Sequence, residues 1–506
     1  MVKGSVILVL SSLLAKVLGA IYRIPLAGIL GSQGIGLYQM VFPIYSMLLV
    51  FVTSGVTTTI SKKVAGFRAE GDYNQITKTV QIGIVISLFL GLIFAVLLYF
   101  FKDILSTLQG NSLAASGYSA IAIGFAFSCV LSAFRGYFQG YENMAPTAVS
   151  QTVEQLVKLA LGLWLSATFI KDGISQAVFG ALLGVSIGEI VSFVLLLIWF
   201  VVGKKKRNLK SQSTTNSPIA YKNFIKTALP ISLYSIISPL SIALDSLIVI
   251  NLLSFAGFTQ SFGTMLYGVY SGMVMPIVNL PIILVSAISV CLLPKISYNC
   301  KMYISSQCTA SSVYKVVFAF VLPCSIGLML LAPNVMALLY PQTDFFLQNV
   351  AVQLFIFLSV YIIFVSLSSV AVTTLQAYGH FRYPLVIMLI GSAIKVVLTI
   401  ILLQIPQINI IGIAVAQCIA MGFVCAFNLY KAKKITGLNL SYKTVIKIAA
   451  CTLFMATAVY GTLKLFASKS PLLSTAAAVC TGVLVYAALV LLTKTFTIKE
   501  LLQKKQ

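Results

Sequence analysis

Long runs of apolar residues constrain this chain more than any other feature of its sequence. A helix needs about 20 apolar residues to cross the hydrocarbon core of a bilayer, and fourteen such runs follow one another along the 506 residues. Only 9% of the chain is charged, against about a quarter in soluble domains. Backbone polar groups in lipid must be satisfied within each segment, which favours helices. The sequence therefore predicts an all-α polytopic membrane protein with about 14 transmembrane helices.

The runs also predict where the helices lie. They fall near residues 5–30, 36–61, 80–101, 114–138, 147–169, 174–202, 227–252, 262–290, 312–334, 349–375, 385–403, 409–430, 445–466 and 472–493. Lys16 interrupts the first run and no small-residue cleavage pattern follows it. We therefore expect a retained first helix rather than a signal peptide.

The basic residues predict the orientation of the chain. The net charge is +24, which in a soluble protein would indicate a nucleic-acid partner. With the N-terminus inside, however, 26 of the 34 Lys and Arg residues fall on the cytoplasmic side, four outside and four within spans. This distribution follows the positive-inside rule. We expect cytoplasmic N- and C-termini, contact with membrane lipids and no nucleic-acid partner.

A basic, serine-rich linker predicts the domain organisation. We expect a first lobe of six helices (1–202), a cytoplasmic linker (203–226), a second lobe of six helices (227–434), and two C-terminal helices with a tail (435–506). The linker is typical of a topogenic segment that touches anionic headgroups.

Two weak registers indicate that the lobes arose by duplication. A proline precedes a lysine by nineteen residues in both halves, at Pro43 and Lys62 and at Pro276 and Lys295. Three other residues recur 237 positions later: Gln139, Tyr141 and Lys158 as Gln376, Tyr378 and Lys395. Six helices per repeat give both lobes the same orientation, so we expect two parallel six-helix lobes plus two C-terminal helices.

Ionisable residues within the spans are the candidate site. Charges at membrane depth are costly and usually face an interior or an aqueous cavity. The candidates are Lys16, Arg23, Glu154, Lys158, Glu189, Asp245 and Lys395. Glu154 and Lys158 are four residues apart and could instead form a structural pair, and Arg23 could reach the outer headgroups. We expect a net cationic central cavity between the lobes, suited to a phosphorylated or otherwise anionic substrate. Its carboxylates could titrate or bind a coupling ion (H⁺ or Na⁺).

Other sites find no support in the sequence. There is no G-x-x-x-x-G-K-[ST] phosphate loop for an ATP-driven pump, and GSQGIG (31–36) is typical of a turn between membrane helices. His380 is the only histidine, and the nine cysteines are scattered without a CxxC pair. Neither a metal site nor a cofactor is predicted.

The N-terminal residues resemble a known family. The signatures are "KVLG…YRIPL" at 16–26, "G-x-x-G-I-G-L-Y" at 31–38 and "ISKKVA" at 60–65. Over residues 4–68 the chain resembles the stage V sporulation protein B group of flippases, in the multidrug/oligosaccharidyl-lipid/polysaccharide exporter superfamily. The resemblance implies a flippase of a bacterial cytoplasmic membrane. It also implies an undecaprenyl-pyrophosphate-linked saccharide as cargo, such as a precursor of peptidoglycan or another surface polysaccharide.

The resemblance has limits at the positions that bind lipid II in related flippases. Lys16 matches their cationic residue before V-L-G, but Tyr22 and Arg23 stand where they have an Arg-Asp pair. The cargo implied is therefore the wider class of polyprenyl-linked glycans.

Two other classes remain as alternatives. One is a drug or cation antiporter of the same superfamily, which should have an acidic cavity. The other is a membrane scaffold or an enzyme of glycan assembly, such as a polymerase, and an enzyme should have polar catalytic loops on the outer face. The outer loops here are short. We expect a transporter that is not an enzyme and acts as a monomer.

Overall fold

The computed structural model describes the backbone of residues 2–206, 221–286, 289, 307–437 and 442–493. Most of the predicted linker, Lys295 and the C-terminal tail lie outside these residues. The helices are α1 (Val2–Glu70), α2 (Tyr73–Phe100), α3 (Lys102–Leu108), α4 (Ala115–Gly140), α5 (Ala145–Phe169), α6 (Ile174–Lys206), α7 (Tyr221–Ser235), α8 (Ile237–Phe255), α9 (Gln260–Tyr267), α10 (Gln307–Leu339), α11 (Phe345–Ala377), α12 (Arg382–Leu403), α13 (Ile411–Thr436), α14 (Tyr442–Leu465) and α15 (Pro471–Leu492). A π-helical segment, Gly268–Val274, follows α9 and continues as a helix to residue 286.

The helices account for the apolar runs. Within the described residues, thirteen helices are long and apolar enough to cross a membrane. The first of them is α1, which corresponds to two of the fourteen predicted spans. The two spans are separated by a break in the helix at Gly31 (φ 64°, ψ −176°). Glycine adopts positive φ without steric cost, so the break falls at the first residue of GSQGIG, and Ser32 to Gly36 are already helical. The prediction of an all-α fold is confirmed.

The chain forms two compact units, Met1–Met273 and Val274–Gln506. The first unit holds α1 to α9 and the second α10 to α15. Helices α8 and α9 fall within the predicted second lobe, and α7 begins in the predicted linker and ends in that lobe. All three nevertheless pack against α1 in the first unit. The division into two parallel six-helix lobes stays a prediction.

Glycines allow α1 to pack closely on the segment that begins with α9. A Cβ on Gly36 would lie 2.1 Å from the Thr264 carbonyl oxygen, and one on Gly268 would lie 2.1 Å from that of Ser32. In addition, the side-chain amide of Gln39 donates a hydrogen bond to the carbonyl oxygen of Ser271 in the π-helical segment. Small residues at such crossings let backbones meet, as is usual in membrane helices.

The last two helices pack against α10 in the second unit. Leu331 of α10 forms an apolar cluster with residues of α14 and α15. Two hydrogen bonds add to it: Tyr486 Oη donates to Ala319 O at 2.6 Å, and Asn334 Nδ2 donates to Ser474 Oγ at 3.0 Å. Polar contacts between membrane helices add modest stability to van der Waals packing.

The turns after α4 and α11 have the same backbone structure at positions 237 residues apart. Paired N–H groups donate to the last carbonyls of each helix: Glu142 to Gln139 and Asn143 to Phe138 in the first turn, Gly379 to Gln376 and His380 to Leu375 in the second. The first residue of each pair has positive φ, 60° at Glu142 and 82° at Gly379. Both turns are Schellman motifs. Their equivalence supports the proposed duplication.

Candidate functional site

A polar cavity of about 290 Å³ lies within the first unit, among α1, α4, α5 and α6. Three ionisable side chains line it: Arg135, Glu154 and Glu189. The remaining lining is mainly hydroxyl and amide groups, from Thr53, Ser54, Thr57, Thr58, Ser128, Ser132, Gln139 and Gln151. The cavity lining therefore includes two acidic side chains and one basic side chain.

Glu154 pairs with a residue of another helix rather than with Lys158. Its Oε2 accepts a hydrogen bond from Arg135 Nη2 at 2.8 Å, and Arg135 Nε donates to Ser150 Oγ at 3.2 Å. The two charged side chains are 19% and 23% exposed. The ion pair therefore joins α4 to α5 at the edge of the cavity, and the intrahelical pair considered from the sequence is not the one formed.

Glu189 of α6 is the most buried carboxyl in the cavity lining, at 3% exposed. Tyr45 Oη donates a hydrogen bond to its Oε1. Its Oε2 is buried and accepts no hydrogen bond from any residue that the structure describes. A Cβ on Gly124 would lie 2.7 Å from this oxygen, so the small residue on α4 makes room for the carboxyl group.

Lys158 of α5 is held between aromatic rings of α1. Its Nζ lies 5.1 Å from the ring centroid of Tyr22 and 4.8 Å from that of Phe42. Both distances are within the range of cation–π attraction, which Phe and Tyr provide most strongly where water is excluded. Gly162, one turn further along α5, accommodates the Tyr22 hydroxyl, since a Cβ there would lie 2.6 Å from it.

The other predicted residues of the first unit occupy different environments. Arg23 is half-buried on α1 and interacts electrostatically with Lys158. Asp245 is 3% exposed on α8 and interacts electrostatically with Tyr267. Lys16 is exposed on α1. Glu154 and Glu189 thus share the polar cavity, whereas Arg23, Lys158 and Asp245 are not among its lining residues.

Lys395 belongs to the second unit and is 5% exposed on α12. It stands 237 residues after Lys158 of α5, which is the same offset that relates the turns after α4 and α11. A shared central cavity remains a prediction. Within the described part of the chain, no group of three or more His, Cys, Asp or Glu residues could hold a metal ion.

Sequence reasoning missed four residues of this site. The positive-inside pattern places Arg135 among the 26 cytoplasmic basic residues, but Arg135 lies inside α4 and pairs with Glu154. Tyr22, Phe42 and Tyr45 contact Lys158 or Glu189 through aromatic groups. Aromatic residues are common in apolar spans, so their spacing alone did not distinguish them. Arg135 could have been recognised from the sequence, because it is an ionisable residue within the predicted span 114–138.

Two family models match more than half of the chain each. The model described as "Polysaccharide biosynthesis protein" matches residues 1–299, and the model described as "Lipid II flippase MurJ" matches residues 157–479. Among curated relatives, Stage V sporulation protein B of Bacillus subtilis is 27% identical, over 87% of this chain and 85% of that protein. The lipid II flippase MurJ of the same organism is 25% identical, over 88% of this chain and 85% of that protein.

Solved structures show the same fold. A lipid II flippase MurJ in an inward closed conformation matches with a TM-score of 0.70 at 17% identity, covering 98% of this chain and 99% of that one. An inward-facing multidrug resistance transporter of the MATE family matches with a TM-score of 0.67 at 15% identity, covering 84% and 94%. The chain is therefore a multi-pass membrane protein with the fold of these transporters.

Proposed function

Because this chain belongs to the polysaccharide biosynthesis family of the multidrug/oligosaccharidyl-lipid/polysaccharide exporter superfamily, a superfamily of transporters and not of enzymes, we propose that it is a flippase for a lipid-linked saccharide. The cargo is a glycan precursor on undecaprenyl pyrophosphate, for peptidoglycan or another surface polysaccharide. Transport crosses a bacterial cytoplasmic membrane by alternating access, with both termini in the cytoplasm.

The environment of Lys158 carries this proposal. Its ammonium group lies against two aromatic rings, and the neighbouring carboxylate of Glu154 is paired with Arg135. Arg23 is a second, half-buried cation, on α1. Cations at membrane depth usually pair or face an aqueous pathway, so this group favours an anionic partner.

A diphosphate is the anionic partner that suits these cations. Charge-assisted hydrogen bonds from Lys and Arg to phosphate oxygens are among the strongest that proteins make. Arg binds two oxygens through its planar fork, and Lys acts as a compact point charge. Residues Lys16 and Lys395 are further candidates for the same role, and both stay predictions.

Depletion of the protein tests the proposed function. We expect lipid-linked precursors to accumulate in the inner leaflet of cells that lack it. We also expect it to restore access of such precursors to the outer face in a strain without its own flippase. An outer-face probe that reacts with the saccharide measures this access. If precursors do not accumulate and cells expressing the protein instead gain dye efflux, the antiporter is the better assignment.

A lysine variant and its control test the role of Lys158. We expect Lys158→Gln to lose most precursor transport while the purified protein remains folded. Lys171→Gln is the matched control, because Lys171 is exposed in the short helix Ile170–Asp172. Equal activity of the two variants would show that Lys158 does not bind cargo.

The antiporter is the second candidate, and Glu189 favours it. A buried carboxyl with an unpartnered oxygen in a polar cavity is suited to a proton or a monovalent cation. The same carboxyl is also compatible with an ion-coupled flippase. Efflux of organic cations that disappears in Glu189→Gln, without any change in precursor access, would support the antiporter.

A further inference from the structure

A basic cavity of about 400 Å³ lies in the second unit, where the turn between α11 and α12 meets α13. It is lined by Gly379, His380, Phe381, Arg382, Tyr383 and Lys431. Lys431 Nζ lies 5.6 Å from the ring centroid of Tyr383. Tyr383 Oη in turn donates a hydrogen bond to Phe427 O at 3.2 Å, which anchors the ring to α13.

Within the described residues of the second unit, the positive charge of this cavity has no counter-charge nearby. Asp344 is the only acidic residue between positions 274 and 499. It lies just before α11, whereas the cavity lies just after it, and a helix of 33 residues is about 50 Å long. Within the described residues, neither Arg382 nor Lys431 forms an ion pair.

The equivalent turn in the first unit shows that these charges are not needed to form the turn. It has the same backbone hydrogen bonds. Its nearby arginine, Arg68, donates to Tyr141 O at 2.8 Å and lies 5.5 Å from that ring centroid. Arg68 is therefore satisfied within the protein, and the turn itself carries the acidic Glu142. The second turn has the same scaffold, but its cations line an open cavity.

The surroundings of the cavity are those of a membrane–water boundary. Arg382 is the first residue of one candidate span, and Lys431 lies near the end of another, Ile411–Thr436. Phe381 is 57% exposed and Tyr430 is 66% exposed. Exposed aromatic rings at the ends of spans sit at the level of the headgroups, and basic pockets between membrane helices bind anionic headgroups.

We propose that this cavity binds the headgroup of an anionic membrane phospholipid. Arg382 and Lys431 donate hydrogen bonds to the phosphate, and the rings of Phe381 and Tyr383 flank the headgroup. The occupant is a lipid of the surrounding membrane rather than the cargo. The proposal therefore does not depend on the flippase assignment, and it predicts a site in the second unit without a counterpart at the first turn.

Native mass spectrometry of the purified full chain tests this site. The protein is titrated with phosphatidylglycerol or with phosphatidylcholine at equal ionic strength. We expect selective retention of phosphatidylglycerol by the wild type. The double variant Arg382→Gln/Lys431→Gln should bind it about 25-fold more weakly, because each basic group near an anionic membrane surface contributes about fivefold.

Matched variants keep the test decisive. Arg382→Lys/Lys431→Arg retains both charges and should retain binding, and Arg68→Gln should leave the affinity unchanged. Equal losses in Arg68→Gln and the double variant would overturn the proposal, since they would indicate general surface attraction. Equal binding of both lipids would also overturn it. A double variant that elutes as aggregate is replaced by the single variants, each expected to lose about fivefold.

Discussion

Replacement of Arg135 by glutamine should destabilise the first unit, because it removes the cation that pairs with Glu154. The pair is joined by a hydrogen bond of 2.8 Å, and its side chains are 19% and 23% exposed. A hydrogen bond to a charged group contributes about 1.5–3 kcal/mol. Since water reaches both groups, we expect the lower end, about 1.5 kcal/mol.

A double-mutant cycle isolates this interaction from other effects of the substitutions. The cycle combines Arg135→Gln with Glu154→Gln and should give a coupling energy of about 1.5 kcal/mol. A second cycle combines Glu154→Gln with Lys158→Gln. It should give a clearly smaller coupling, because the Lys158 ammonium lies against aromatic rings and Glu154 bonds to Arg135.

Unfolding by sodium dodecyl sulfate in mixed micelles measures these energies. Both tryptophans, Trp164 and Trp199, lie on α5 and α6 of the first unit. Their fluorescence therefore reports the unit that contains the ion pair. A coupling near zero for Arg135 and Glu154, or a larger coupling for Glu154 and Lys158, would refute the assignment of the pair.

Three further substitutions test the packing. Gly268→Ala should lower the thermal unfolding temperature and reduce the free energy of unfolding by about 1–3 kcal/mol, because the new Cβ would lie 2.1 Å from a backbone oxygen of α1. Gly461→Ala is the control and should be neutral or stabilising, because no atom lies within 4 Å of its new Cβ. Tyr486→Phe should reduce the free energy of unfolding by about 1 kcal/mol and increase proteolysis of the C-terminal helices. An unchanged cleavage rate would contradict the role of the hydrogen bond from Tyr486 to α10. Phe42→Leu should cost about 0.5–2 kcal/mol by removing one ring from Lys158, and Phe42→Tyr, which keeps the ring, should be tolerated.

The position of each ionisable residue along its span could be predicted from the sequence, but its partner could not. Hydropathy placed Glu154, Lys158 and Glu189 at membrane depth, since length and composition suffice for that. Helical spacing brought Glu154 and Lys158 to one face and left their pairing open. Arg135 is 19 residues away from Glu154, and contact between them depends on how α4 packs against α5.

The 237-residue register shows where sequence and structure agree most closely. Recurrence of Gln139 and Tyr141 as Gln376 and Tyr378 indicated related turns. The backbone hydrogen bonds and the positive φ of Glu142 and Gly379 recur at the same offset, because a Schellman motif depends on local chain geometry. The side chains that each turn presents differ, and they decide whether its charges are satisfied within the protein.

The apolar runs by themselves determined a polytopic helical membrane protein, because a bilayer admits few ways to satisfy the backbone of such a chain. They also predicted about 14 spans and a turn between membrane helices in GSQGIG, and the structure places the break in α1 at Gly31. Only the tertiary structure decided which charges meet. Lys158 lies against Tyr22 and Phe42 rather than pairing with Glu154, because partners on different helices are brought together by packing rather than by spacing along one helix.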